Sequence, residues 1–168
     1  SDGKLYITGS SSLSLSATDT LSGVSKTEYR IDSGVWMLYA PFGIPSEGSH
    51  IIEYRSADNV GNIETAKSLS VIMDNTPPVT SISTGDPKSI VSGITYVTKD
   101  TNFTLSASDN VSGVSKTEYR IDAGDWTIYA PFNISSEGTR IIYYRSTDNV
   151  GNIEDTKTLT VVIDNTPP

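Results

Sequence analysis

The 168 residues carry a formal net charge of -8 and a pI near 4.5, a balance that disfavours nucleic acid or an anionic membrane as partner and favours cations. Cysteine is absent, which excludes a disulfide framework and a thiolate metal centre and leaves the redox compartment open. No run reaches the roughly 18 apolar residues of a transmembrane helix, and no charged segment leading into an apolar core opens the chain, so direct membrane insertion is not expected.

The chain repeats itself. Asp74-Asn75-Thr76-Pro77-Pro78 returns as residues 164–168, and residues 14–78 align on 104–168 at an offset of 90 with 45 identities in 65 positions, the signature of tandem copies of one unit. Each copy is long enough to close its own core. The expected domains are 1–76 and 77–168, with the junction at 74–78. Residue 1 aligns with Val91, so copy 1 lacks the counterpart of residues 79–90. It is expected to lack its first strand, and the chain reads as a piece of a longer array.

In chain order, residues 4–8 and then 12–17 alternate apolar and small polar side chains with period two, the pattern of half-buried strands. A turn-rich loop with Asp19 and Gly23 follows. Thr27, Tyr29 and Ile31 then alternate with Glu28, Arg30 and Asp32, Ser33-Gly34 turns the chain into residues 36–39, and Pro41-Phe42 starts a short strand. Residues 50–56 form a strand with Ile52 and Tyr54 facing inward, Asn59-Val60-Gly61-Asn62 reads as a hairpin-type turn, and residues 69–73 are the last strand. Copy 2 repeats this after a leading segment, 79–84, and a loop containing Gly85, Pro87 and Gly93. No window has a 3.6-residue apolar period. Short β-branched and aromatic strands separated by Gly, Pro, Asn and Asp predict an all-β fold, two tandem immunoglobulin-like antiparallel β-sandwiches of seven strands each.

The run Ser112-Gly113-Val114-Ser115-Lys116-Thr117-Glu118-Tyr119-Arg120-Ile121-Asp122, with Trp126, Pro131-Phe132, Tyr144-Arg145-Ser146, Asp148-Asn149-Val150-Gly151-Asn152 and the closing Asp-Asn-Thr-Pro-Pro, resembles the Ig-like repeats of bacterial and archaeal cell-surface proteins of adhesin, envelope or S-layer type. Similar repeats also stand beside secreted carbohydrate-active enzymes. The resemblance covers nearly the whole chain twice, and it implies an extracellular or cell-surface location and a mechanical role rather than a chemistry.

In such a sandwich the loop after the second strand and the loop before the last share a pole with the incoming linker. Those loops carry Asp109 and Asp148-Asn149 in copy 2, and the linker brings Asp74-Asn75. Calcium takes six to eight oxygen ligands at roughly 2.3–2.6 Å and tolerates irregular geometry. Asp74, Asp109 and Asp148 supply charge, Asn75 or Asn149 could complete the shell, and an affinity on the order of 0.1–1 mM is expected. The junction resembles that of cadherins, with a shorter linker motif. Asp19, Asp58 and Asp164 are secondary candidates, the first two without a preceding linker and the third without a following domain. The alternative is plain turn chemistry, since Asp and Asn cap tight turns through their own side chains. Thr76-Pro77-Pro78 stiffens the junction with or without metal.

Trp36 and Trp126, with Tyr39 and Tyr129, could stack on a sugar, or pack across the core or its edge. His50, aligned with Arg140, reads as a solvated strand residue. With one histidine, no cysteine and no nucleophile or phosphate-binding motif, no catalytic residue stands out, and the expectation is a protein that is not an enzyme. Asn102, Asn110 and Asn133 fit the N-glycosylation pattern. The expected function is a stiff stalk, filament or layer segment whose partners are neighbouring repeats. The alternatives are a module that binds a glycan or matrix protein, and a strand-exchanging filament subunit that self-assembles through an open sheet edge.

Overall fold

A period-two segment becomes a strand only where a neighbour completes its backbone hydrogen bonds, and that condition is met differently in the two copies. In the computed structural model, which describes residues 4–168, there are two compact units, Ser1–Asn75 and Thr76–Pro168.

The first unit has strands β1 (Leu5–Ile7), β2 (Val24–Ile31), β3 (Met37–Leu38), β4 (Gly48–Asp58) and β5 (Lys67–Met73), in one sheet of order β1-β5-β4-β2-β3. The long β2–β4 pair sets Thr27 opposite Ser56, Tyr29 opposite Tyr54 and Ile31 opposite Ile52. Ile7, Ile44, Ile52, Val71 and Met73 form the core, with Leu13, Ile31 and Phe42 packed against it.

The second unit has β6 (Val79–Thr84), β7 (Lys88–Val91), β8 (Ile94–Val97), β9 (Phe103–Ser108), β10 (Val114–Ile121), β11 (Thr127–Ile128), β12 (Gly138–Asp148) and β13 (Lys157–Ile163). Six of them form a sheet of order β11-β10-β12-β13-β8-β7, and β6 pairs with β9 in a second layer. Between the layers lie Val97, Phe103, Leu105, Ile142, Val161 and Ile163, and Phe132 stacks on Tyr119 with centroids 3.8 Å apart. The chain is all-β and immunoglobulin-like in both units. The strands are antiparallel apart from one pairing in each, β1 beside β5 and β8 beside β13, which run parallel.

The structure departs from the expected seven strands per domain: among the described residues the first unit has five and the second eight. Residues 85–93 are not simply a loop, because β7 and β8 form a hairpin across Ser92-Gly93, both at positive φ (51° and 81°), the backbone that a tight two-residue hairpin turn demands. The expected strand over residues 12–17 does not form. Only Leu13 makes a bridge, to Phe42, because the segment that pairs with its equivalent β9 is a second-unit element.

Each unit's end is tied down by the asparagine of its closing motif. Asn75 Oδ1 accepts a hydrogen bond from the Gly9 amide at 2.6 Å, and Asn165 Oδ1 accepts one from the Lys99 amide at 2.7 Å. The amides of both asparagines donate to a glutamate, Glu47 and Glu137 respectively.

Ile142 is fully buried, so Ile142→Ala should lower the stability of the second unit by about 2–5 kcal/mol through lost apolar burial and the cavity left behind. Urea unfolding followed by near-ultraviolet dichroism measures this.

Candidate functional site

The acidic loops are built by carboxylates that cap backbone amides. Asp109 follows β9, and its Oδ1 accepts from the amides of Val111 (3.1 Å) and Gly113 (2.7 Å). Asp148 ends β12. Its Oδ1 accepts from Val150, Gly151 and Asn152 at 2.7–3.0 Å, and its Oδ2 accepts from the Asn152 side-chain amide. Asn149 Nδ2 donates to the Ser112 carbonyl at 2.8 Å, stitching the two loops together. Carboxylate oxygens of Asp109 and Asp148 lie within 4.8 Å of each other, as the shared pole predicts. Among the described residues no lysine or arginine forms an ion pair with either.

The first unit repeats the construction. Asp19 Oδ2 accepts from Leu21, Ser22 and Gly23, Asp58 Oδ1 accepts from Val60 and Asn62, and Asn59 Nδ2 donates to the Ser22 carbonyl. The Gly23 amide, with those of Ser22 and Leu21, holds the Asp19 carboxyl below its ordinary value against desolvation and the nearby Asp58 charge. At Asp58 burial pushes upward, and the Asn62 amide groups more than offset it. These turns need their carboxylates whether or not a metal is present.

Other candidate positions have local roles. The Asp74 amide donates to the Ile7 carbonyl at 2.9 Å. Asp164 Oδ1 accepts from the Thr166 amide at 3.1 Å. The Asn75 side chain is engaged within its own unit, as described above. Asn102, Asn110 and Asn133 are all exposed, which a glycan requires.

Two expectations are corrected. Neither tryptophan lies in the sandwich core. Trp36 is contacted by the guanidinium groups of Arg30 and Arg55, at 4.7 and 4.1 Å from its ring centroid, and Trp126 by those of Arg120 and Arg145 at 5.3 and 4.2 Å. Alternate residues of β2 and β4 place these arginines on the face away from the core, and the indole's negative face attracts cations. His50 is not solvated either: it is 8 % exposed, with Nδ1 2.7 Å from Asp32 Oδ2 and Nε2 2.9 Å from the Ser46 carbonyl oxygen. Both ring nitrogens face acceptors, which suits the imidazolium. Arg140 does the same in copy 2, reaching Asp122 Oδ2 at 3.3 Å and the Glu137 carbonyl at 2.9 Å.

Sequence reasoning missed a polar cluster in the second unit. Glu154 Oε1 accepts from the Thr80 amide (2.8 Å), Thr80 Oγ1 bonds Ser146 Oγ (2.6 Å), and Lys157 Nζ donates to the Thr80 carbonyl (2.8 Å). The recurrence of Glu64 and Lys67 at the positions of Glu154 and Lys157 was the available signal.

No protein-family model matches the chain, and a search of the curated proteins gives no match. Among solved structures, the chain is similar to the fibronectin(III)-like modules of CbhA from Clostridium thermocellum, at 15 % identity and a TM-score of 0.44, over 95 % of this chain and 89 % of that one.

The Asp32 hydrogen bond raises the His50 pKa above its ordinary 6.5, with the Ser46 carbonyl adding to it and burial opposing it. A raised folded-state pKa gives stability that is complete below the unfolded value and lost as pH rises through the folded one. The first unit should therefore lose stability as the pH climbs above about 6.5, whereas His50→Arg should flatten that slope. Urea midpoints at about pH 6 and about pH 9 provide the measurement.

Proposed function

We propose that this chain is a non-enzymatic structural repeat of an extracellular surface protein, serving as a stalk, filament or layer segment that positions other domains. The observation that carries this reading is the duplication of the acidic machinery: Asp19 and Asp109, Asp58 and Asp148, and Asn59 and Asn149 make the same backbone contacts in both units. Groups repeated in identical structural roles fit a scaffold better than a single reaction centre.

The same reading includes calcium. Asp109 and Asp148 are neighbouring carboxylates with no cationic partner among the described residues, and of the roughly four acceptor sites of an ionised carboxylate the Val111 and Gly113 amides use two on Asp109. Oxygen donors of this kind are what a hard divalent ion takes, and calcium would supply charge compensation and cross-link the two loops. Asp74, placed at the junction by the sequence, is the third proposed carboxylate. Asn149 is the proposed amide ligand, and Asn75 is less suited because its Oδ1 is already bonded to Gly9.

Thermal unfolding with and without about 5 mM calcium tests this. For a Kd on the order of 0.5 mM, native-state binding adds about 1.4 kcal/mol, a rise of a few degrees. Asp109→Asn, Asp148→Asn and Asp74→Asn should each abolish the rise. Asp122→Asn, which changes a carboxylate that caps the Ile141 amide and is no candidate ligand, should leave it intact. Equal melting temperatures with and without calcium would return these residues to turn formation alone.

A further inference from the structure

In the second unit a leading strand is held by a small set of anchor residues, and the first unit carries residues equivalent to those anchors. In the second unit β6 runs antiparallel to β9, with Val79 opposite Ser108 through to Thr84 opposite Phe103. Thr80 is 2 % exposed, and it anchors the strand through the Glu154, Ser146 and Lys157 contacts described above. Ile82 packs against the core.

Every receptor group has its equivalent in the first unit. Residues 13–18 read Leu-Ser-Leu-Ser-Ala-Thr where β9 reads Phe-Thr-Leu-Ser-Ala-Ser, and Ser56, Glu64 and Lys67 stand for Ser146, Glu154 and Lys157. Residues 15–18 line an open groove of about 400 Å³ together with Tyr54, Ser56, Glu64 and Lys67. The anchors make the same contacts among themselves as in the second unit, and what differs is that no threonine is bonded to them. Glu64 Oε1 accepts from the Ser56 amide at 2.9 Å, Glu64 Oε2 lies 2.7 Å from Lys67 Nζ, and Ser56 Oγ bonds Thr27 Oγ1 at 2.9 Å. The Glu64 side chain is 35 % exposed against 7 % for Glu154. Tyr54 and Ser56 are half-buried where Tyr144 and Ser146 are buried. Among the described residues nothing pairs with residues 14–18, although their sequence differs little from that of a fully formed strand.

We propose that this groove binds one extended peptide segment of the β6 type, running antiparallel to residues 13–18. Its threonine would donate its amide to Glu64, bond Ser56 through its hydroxyl and accept from Lys67 through its carbonyl, and its following aliphatic residue would cover the core near Leu15. The ligand is a leading strand of the repeat's own chemistry, of which residues 77–84 are the example on this chain. Main-chain bonding supplies affinity and the anchor cluster supplies register. The inference does not rest on calcium, because none of these anchors is a proposed metal ligand.

The test uses the whole chain with two additions: a synthetic peptide of residues 76–84, and a fusion that places a copy of residues 77–90 ahead of Ser1. The fusion removes the entropy of association. Hydrogen exchange at the amides of residues 14–18 should slow by at least about tenfold in both cases, and the first unit's melting temperature should rise with peptide concentration. A peptide carrying Thr80→Pro, which has no amide hydrogen for Glu64, should do neither. Unprotected amides in the fusion would overturn the proposal, and so would equal protection by the Thr80→Pro peptide.

Discussion

The pairing of β6 with β9 is the contact on which the second layer of this fold depends. A lone extended segment leaves its amides and carbonyls to water and gains nothing for the conformational entropy it gives up. Where β6 is present, six consecutive residues of β9 are held in strand geometry, and Phe103 and Leu105 are driven into the core. Where no such partner is described, a nearly identical sequence stays irregular and its core cluster is smaller. Strand formation here is a property of pairs, so two copies of one sequence adopt different local structures.

The turns follow a different economy of contacts. Each acidic loop satisfies its own amides with a carboxylate a few residues back, and needs no partner from elsewhere in the chain. That is why the loops of both units agree in detail while the strands do not. The same principle governs Asp32 and Asp122, each at positive φ, whose carboxylates accept the amides of Ile51 and Ile141 and also hold His50 or Arg140. A cation at that position is retained through a change of side chain, and only the histidine version makes the contact sensitive to pH.

Fold class was legible because it rests on local alternation, which a sequence displays directly. The proximity of Asp109 and Asp148 was also legible, since strand direction alone brings those two loops to one end of the sandwich. The parallel β1–β5 and β8–β13 pairings were not, because nothing in period-two alternation reports which neighbour a strand chooses. The tryptophans were not placed for a related reason: a large aromatic reads equally as core, sheet edge or sugar platform unless the arginines near it on the sheet are also considered. Thr80 escaped notice as one threonine among many, and its burial depends on Glu154 and Lys157, more than seventy residues away.

The parallel edge of the first unit has a mechanical consequence. Its first described strand, β1, and its last, β5, are direct neighbours that point the same way. Tension drawing the start of β1 and the end of β5 apart would pull along the strand axes, across the inter-strand hydrogen bonds. Those bonds would then be loaded together in shear and would have to fail as a group, whereas a hairpin pulled from its open end breaks one bond at a time. For a segment that bears load, the arrangement converts a short ladder of ordinary hydrogen bonds into a clamp.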